Sequence, residues 1–425
     1  MSLRIGQRVE CAVESLAFGG AGVARLDGMA LFVEDALPGE RVIAEITKPS
    51  KKFAHARTLK IHEPSAERVV PPCRYYGQCG GCQLQHLRYD VQVEWKKKQV
   101  EELLKRIGGV SNFTLTDSVP SPNPYGYRNT IRLHRIPGNP LRYGYYCRDG
   151  RSLIAISRCL IAQNAINEIV SDRKNFIDSG RSPAEIILHA GTDGNVAVCT
   201  GGGNTADIVE VLCDTRFTIP PASFFQVNRA VAALLVEKVR GWMQSSRCQG
   251  TFFDLYCGVG VFSVLLGRSF SRVIGIDCDV RAIAHARVNS APLDDKRFSF
   301  IAGQVESSLP GIYKRHILPR SIVLLDPPRT GVGEGVIKFL READRRVEKI
   351  IYVSCNPATL SRDLNRLCTN SRWRLDTVAI FDMFPQTAHI EVCCSIVREN
   401  CEAGIAQDMP TRMKHHRPRG PDEIS

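Results

Sequence analysis

The chain has 425 residues, 44% of them apolar, enough to bury two or three cores. A net charge of +12 and a pI near 9.0 favour a polyanionic partner, most simply nucleic acid. The start, Met1-Ser2-Leu3-Arg4-Ile5-Gly6, has no apolar core, and no window approaches 18 uninterrupted apolar residues, so neither export nor a membrane span is expected and a cytoplasmic location is.

Residues 4 to about 62 alternate polar and apolar in short runs, separated by Gly19-Gly20-Ala21-Gly22, Asp27-Gly28 and Pro38-Gly39. This spacing predicts a small antiparallel barrel over 1–63. Lys48, Lys51, Lys52, Arg57 and Lys60 share a stretch without an acid on its last hairpin. An oligonucleotide-binding (OB-like) barrel fits that placement, and a plain solvated hairpin is the alternative.

Cys73 to His86 is a dense, loop-like cluster, followed by a helical pattern at about 88–107. Sixteen cysteines in a cytoplasmic protein argue against a disulfide framework and for metal binding or catalysis. Cys73, Cys79 and Cys82 supply three thiolates, and a closed site needs a fourth, for which Cys147 and Cys159 both remain open. The spacing matches neither the usual zinc pairs nor the ferredoxin run. His86 reads as a loop residue rather than a ligand.

Residues 64–220 otherwise read as strands mixed with helices, a central α+β region. There Tyr125-Gly126-Tyr127-Arg128-Asn129 and Tyr143-Gly144-Tyr145-Tyr146 interleave aromatics with Arg128, Arg132, Arg135, Arg142, Arg148, Arg151 and Arg158. Aromatic faces stack on unpaired bases while arginines hold phosphates, so the mixture suits RNA. An ordinary sheet with a basic face is the competing reading.

From 221 to 400, continuous apolar strands alternate with helices, which predicts a parallel sheet buried on both faces. Residues 401–425 read as a basic, disordered tail. Asp254 to Gly260 closes the first strand and opens a helix, where glycines let backbone approach a ligand. Ser263 holds the third position of the dinucleotide fingerprint, so hydride-transfer cofactors lose ground. Asp277 ends the next strand, placed to accept hydrogen bonds from a ribose diol. Asp326-Pro327-Pro328-Arg329 ends another with an acid in a stiff turn. Ser354-Cys355-Asn356-Pro357 follows the run Lys349 to Val353, which sets Cys355 on the mouth of the sheet as a candidate nucleophile; a buried inert thiol is the alternative.

Together these residues resemble the bacterial RNA uracil-C5 methyltransferases that use S-adenosylmethionine. The carriers are Cys73-x5-Cys79-Gly80-Gly81-Cys82, Ser223-Phe224-Phe225-Gln226-Val227-Asn228, Asp254 to Gly260, Asp326 to Arg329, Ser354 to Leu360, and Phe381-Asp382-Met383-Phe384-Pro385-Gln386-Thr387-x-His389-Ile390-Glu391. The resemblance implies an N-terminal TRAM barrel, a central RNA-binding domain with a [4Fe–4S] cluster on Cys73, Cys79, Cys82 and Cys159, and a C-terminal Rossmann-like methyltransferase domain. It implies that Cys355 is the nucleophile, that Glu391 is the base, and that Gln226, Tyr256, Asp277 and Asp326 contact S-adenosylmethionine. Val261 departs from the Asn common in relatives, and Asp277 from their Glu. The barrel and the cysteine cluster point to the 23S ribosomal RNA branch, with no membrane and no stable protein partner implied. The same chemistry on tRNA or another ribosomal uridine is the nearest alternative. An iron–sulfur oxidoreductase is a more distant one, and leaves Cys355 and Glu391 without a role.

Overall fold

The structure is a computed structural model that describes residues 3–138, 142–172, 183–200, 206–244, 249–293, 295–343 and 345–399; the tail reading at 401–425 lies outside them. Strands β1 (Arg8–Leu16), β2 (Gly22–Leu26), β3 (Met29–Glu34), β4 (Arg41–Pro49) and β5 (Phe53–Glu63) form a closed barrel in the order β1-β2-β3-β5-β4. Period-2 alternation drives it, with Val9, Cys11 and Val13 inside and their neighbours out. Asp27 and Gly28, both at positive φ, make the two-residue turn between β2 and β3. The barrel is not wholly antiparallel, because β3 and β5 pair in parallel to close it. Lys48, Lys51, Lys52, Arg57 and Lys60 are all exposed on the β4–β5 hairpin.

Helix α1 (Tyr89–Arg106) and strand β6 (Thr114–Val119) correct the domain map. On sequence they fall in the central region, but Val100 and Leu104 pack into the core of the C-terminal sheet, and β6 forms that sheet's edge. Gln99 of α1 also donates to the carbonyls of Leu16 (2.9 Å) and Ala17 (3.1 Å), which seats the barrel on this helix.

The central region contains β7 (Thr130–Ile136), β8 (Arg142–Tyr146), β9 (Leu153–Ala155), α2 (Asn164–Ser171), β10 (Glu185–Ala190) and β11 (Val196–Thr200), with strand order β11-β10-β7-β8-β9. The hairpin β12 (Ile208–Leu212) and β13 (Thr215–Ile219) follows, then α3 (Arg229–Gln244). Two of the tyrosines expected to stack on bases are structural. Tyr127 and Tyr143 are buried, and their hydroxyls donate to the carbonyls of Pro385 and Pro183. Tyr146 is the one that is fully presented, 45% exposed and 4.5 Å from the ring of His134.

The C-terminal sheet is built from β14 (Thr251–Leu255), α4 (Val261–Leu266), β15 (Arg272–Asp277), α5 (Val280–Ser290), β16 (Phe298–Ala302), α6 (Val305–His316), β17 (Ser321–Leu325), α7 (Glu334–Glu342), β18 (Val347–Ser354), α8 (Pro357–Cys368), β19 (Trp373–Phe381) and β20 (Glu391–Arg398). Its order is β16-β15-β14-β17-β18-β20-β19-β6, with β20 alone antiparallel to its neighbours. β14 and β17 are buried at every residue, as strands covered by helices on both faces must be. The chain runs outward from β14 to β16, then crosses back to β17. The crevice at the carboxyl ends of β14 and β17 is therefore the topological switch point where open α/β sheets bind ligands.

Candidate active site

Register assembles the site. Leu255 pairs with Ile276 on one side and with Leu325 on the other, so the next residues, Tyr256, Asp277 and Asp326, emerge side by side at the carboxyl edge. Tyr256 holds φ +66°, a conformation uncommon for a bulky residue, and its N–H donates to the Ile276 carbonyl at 2.8 Å. Gly258 has φ +52° and open space where a Cβ would stand. Its N–H donates to Asp277 Oδ2 at 2.8 Å, and the Asp279 N–H donates to Oδ1 at 2.8 Å, so Asp277 is fixed by two backbone donors. Ser263, which breaks the dinucleotide fingerprint, has a different task. Its N–H (2.9 Å) and hydroxyl (2.6 Å) both donate to the buried carboxyl of Asp254.

Asp254 and Asp326 are both held above the ordinary aspartate range. Burial, and the charge of Asp277, push Asp254 up to about 7 against Ser263's hydrogen bonds. Burial, then Asp254 and Asp277, push Asp326 up to about 7 as well. A ligand carrying positive charge answers such a pocket. Gln226 is buried in the segment before α3, which Ser223 ties to the same edge through a 3.2 Å hydrogen bond from its hydroxyl to Asp279. Phe225 beside it is buried and Phe224 is 70% exposed.

Cys355 follows β18. Ser354 pairs with Val392, so the next antiparallel rung sets Cys355 against Glu391. Asn356 caps α8, accepting from the N–H groups of Ala358 (3.1 Å) and Thr359 (3.5 Å), while Pro357 occupies the first turn, where no N–H is required. The Asn356 amide and the Thr359 hydroxyl donate to the Arg329 carbonyl at 3.1 and 3.2 Å, which locks the Asp326-to-Arg329 turn to the cysteine loop. Burial and the neighbouring Glu391 push the Cys355 thiol up to about 11, while Arg329 pulls it back. Glu391 is buried, and burial and Asp326 raise it well above the carboxylate range, again opposed by Arg329.

The loop leading to Glu391 is gripped from several sides. Gln386, at φ +68°, accepts at its carbonyl from the N–H groups of Gln83 (3.1 Å) and Leu84 (3.0 Å) and exchanges two hydrogen bonds with Gln92 of α1. Lys96 of α1 reaches Asp382 at 2.6 Å and the Phe384 carbonyl at 3.2 Å. Reading the sequence missed Lys96. A lysine between Val93 and Val100 on the buried face of α1 was the available signal. Also missed was Glu210, a buried carboxylate that accepts from Asn129 (2.8 Å), Thr192 (2.7 Å) and Arg229 (2.6 Å) and lies 2.9 Å from His189. Asn129 also donates to the Gln226 carbonyl at 3.1 Å, so this hub supports the Gln226 segment.

Cys73, Cys79, Cys82 and Cys159 line one cavity of about 200 Å³, together with Tyr75, Gln85 and Arg128; Cys147 is not among its walls. Among the described residues no three His, Cys, Asp or Glu side chains are arranged to hold a metal ion. Burial raises Cys79 and Cys159 and pushes Cys82 up to about 12. His86 is buried outside that cavity and bonds the Tyr76 hydroxyl.

A doubly covered sheet with a glycine turn, strand-end acids and a strand-end thiol defines a nucleotide-cofactor α/β enzyme. Residues 309–399 match the tRNA (uracil-5-)-methyltransferase family, and residues 3–59 match the TRAM domain. An uncharacterized RNA methyltransferase of Listeria innocua is 32% identical over 92% of this chain and 97% of its own, and one of Halalkalibacterium halodurans is 30% identical over 90% and 95%. The crystal structure of the Pyrococcus abyssi tRNA (uracil-54, C5)-methyltransferase in complex with S-adenosyl-L-homocysteine superposes with a TM-score of 0.70 at 27% identity, covering 92% of this chain and all of that one. The chain belongs to the S-adenosylmethionine-dependent RNA (uracil-5-)methyltransferase family.

Proposed function

We propose that the chain methylates C5 of a specific uridine in 23S ribosomal RNA through a covalent bond between Cys355 and uracil C6. The observation that carries the mechanism is the β18–β20 register, which sets Cys355 against Glu391 beside Asp326 and Arg329. Uracil C5 is a poor nucleophile until a thiolate adds at C6 and turns C4–C5 into an enolate. Cys355 supplies the thiolate, with Arg329 as its counter-charge. C5 then takes the methyl group, and its proton must leave before the C6–sulfur bond breaks. Glu391, a carboxylate made more basic by burial, removes that proton. S-adenosylmethionine, when bound, supplies an electrophilic methyl group on a cationic sulfur. Tyr256, Asp277, Asp326 and Gln226 hold it, and the open space over Gly258 and the surplus negative charge suit it.

We assign an iron–sulfur cluster to Cys73, Cys79, Cys82 and Cys159 on the family resemblance, and the fact that these four thiols line one space of about 200 Å³ is consistent with it. Its part is structural. The same loop carries Gln83 and Leu84, which hold Gln386 ahead of Glu391.

A tRNA target is the second reading, favoured by the Pyrococcus abyssi neighbour, whose entire chain this architecture covers. The ribosomal reading rests on the resemblance of the barrel and the cysteine cluster to the 23S branch of the family. Mass mapping of methylated nucleotides in a deletion strain decides it. Loss of a 23S 5-methyluridine, restored by the wild-type gene and not by Cys355→Ala, is the expected result. Loss confined to tRNA would replace the ribosomal assignment.

A further inference from the structure

Cys147 stands outside the four-thiol cavity, yet it faces Cys79 across an antiparallel rung. The Gly80 N–H donates to the Tyr146 carbonyl at 3.0 Å, and the Arg148 N–H donates to the Gln78 carbonyl at 3.0 Å. Hydrogen bonds from the residue after each member to the residue before the other mark the non-hydrogen-bonded kind of rung. There the Cα atoms approach to about 4.5 Å and both side chains leave the same face. A disulfide spans Cα separations of about 4.4–6.8 Å, a range that includes this kind of rung. Both thiols are free and partly exposed. The turn after Cys147 is itself fixed, its N–H bonded to the Ser152 carbonyl at 2.8 Å and its carbonyl to the Gly150 N–H at 3.0 Å.

We propose that Cys79 and Cys147 are a disulfide-forming modification site, joined when Cys79 has no metal partner. The inference rests on the iron–sulfur reading only for what otherwise engages Cys79. With a peroxide as oxidant, one thiol takes an oxygen atom to become a sulfenic acid and releases one water. The second thiol then displaces the hydroxyl from that sulfur, the S–S bond forms, and a second water leaves. Two thiols lose two electrons and the peroxide gains them. The bond would hold the cysteine loop against β8 at the position its backbone already occupies, so Gln83 and Leu84 keep their grip on Gln386 when the cluster is absent.

The test uses the full-length protein, depleted of iron by an anaerobic chelator, treated with hydrogen peroxide, alkylated, and cleaved without reductant for mass spectrometry. The expected product is a peptide pair linked through Cys79 and Cys147, released by dithiothreitol and lost in Cys147→Ser. Before depletion, Cys147→Ser should carry as much iron and sulfide as the wild type. Linkage of Cys79 to Cys73, Cys82 or Cys159 instead, or alkylation of both thiols after oxidation, overturns the proposal. Wild-type mapping alone gives that answer if the variant does not fold. A failure of the iron–sulfur reading shows separately, as untreated protein without iron or sulfide.

Discussion

The ammonium of Lys96 lies 2.6 Å from Asp382 Oδ1, and neither side chain exposes more than 2% of its surface. Burying such a pair costs desolvation that its attraction barely repays, so it is poor at stabilising and good at fixing one arrangement. Here the arrangement is that of the loop between β19 and Glu391, pinned to α1 across 286 positions of sequence.

Lys96→Met should therefore slow turnover by on the order of 10²-fold, the usual effect of misplacing a reacting group by about an ångström. The RNA adduct through Cys355 should accumulate, because addition at C6 survives while proton removal is impaired. The double variant Lys96→Met/Asp382→Leu should regain thermal stability without regaining rate. Recovery of both together would reduce the pair to a structural element.

Cys355→Ala should abolish methyl transfer and leave S-adenosylmethionine binding intact by calorimetry, since Cys355 is not among the residues proposed to hold the cofactor. Glu391→Gln should trap a denaturation-stable RNA–protein adduct, because the C5 proton then has no acceptor. Normal turnover of the glutamine variant with no adduct would assign proton removal to another group.

Asp254 and Asp326 titrate near 7 in the free chain, against 3.8 for an ordinary aspartate. Their folded form prefers the proton, so their contribution to stability is fully present below about pH 4 and is lost as pH rises through 7. A sulfonium ligand needs them ionised, and a neutral thioether does not. Preference for S-adenosylmethionine over S-adenosylhomocysteine should thus rise between pH 6 and 8, by at least about threefold. Asp326→Asn should flatten the rise, and a pH-independent ratio in the wild type would refute the electrostatic account.

Much of the edge that carries this chemistry was legible because period and punctuation are local. The apolar runs ending at Leu255, Asp277, Leu325 and Ser354 are strands, and Asn356-Pro357 opens a helix after Cys355. What could not be read was order across the sheet. Glu391 meets Cys355 only because β20 inserts antiparallel between β18 and β19, a pairing that no hydrophobic period encodes. The placement of α1 and β6 was hidden for the same reason, since β6 finds its partner β19 at the far end of the chain. The aromatic–arginine segment misled in part because composition does not tell a tyrosine that stacks from one whose hydroxyl is spent on a carbonyl, as at Tyr127 and Tyr143.

Glu210 is kept ionised despite burial. The hydrogen bonds from His189, Thr192 and Arg229 hold it below the usual glutamate range. A depressed carboxyl lends stability that is present above its unfolded titration near 4.5 and is lost as pH falls through the folded value. Glu210→Ala would leave the Arg229 guanidinium without its carboxylate partner, keeping only Thr192, and remove an acceptor from Asn129, the residue that also holds the Gln226 carbonyl. Leaving the buried Asn129 amide without that acceptor costs about 1–3 kcal/mol, so denaturant unfolding should show a loss of that size. S-adenosylmethionine affinity should fall with it, because Gln226 loses its support. A variant as stable as the wild type would show that the hub is dispensable, and unchanged affinity in a destabilised variant would separate it from the cofactor segment.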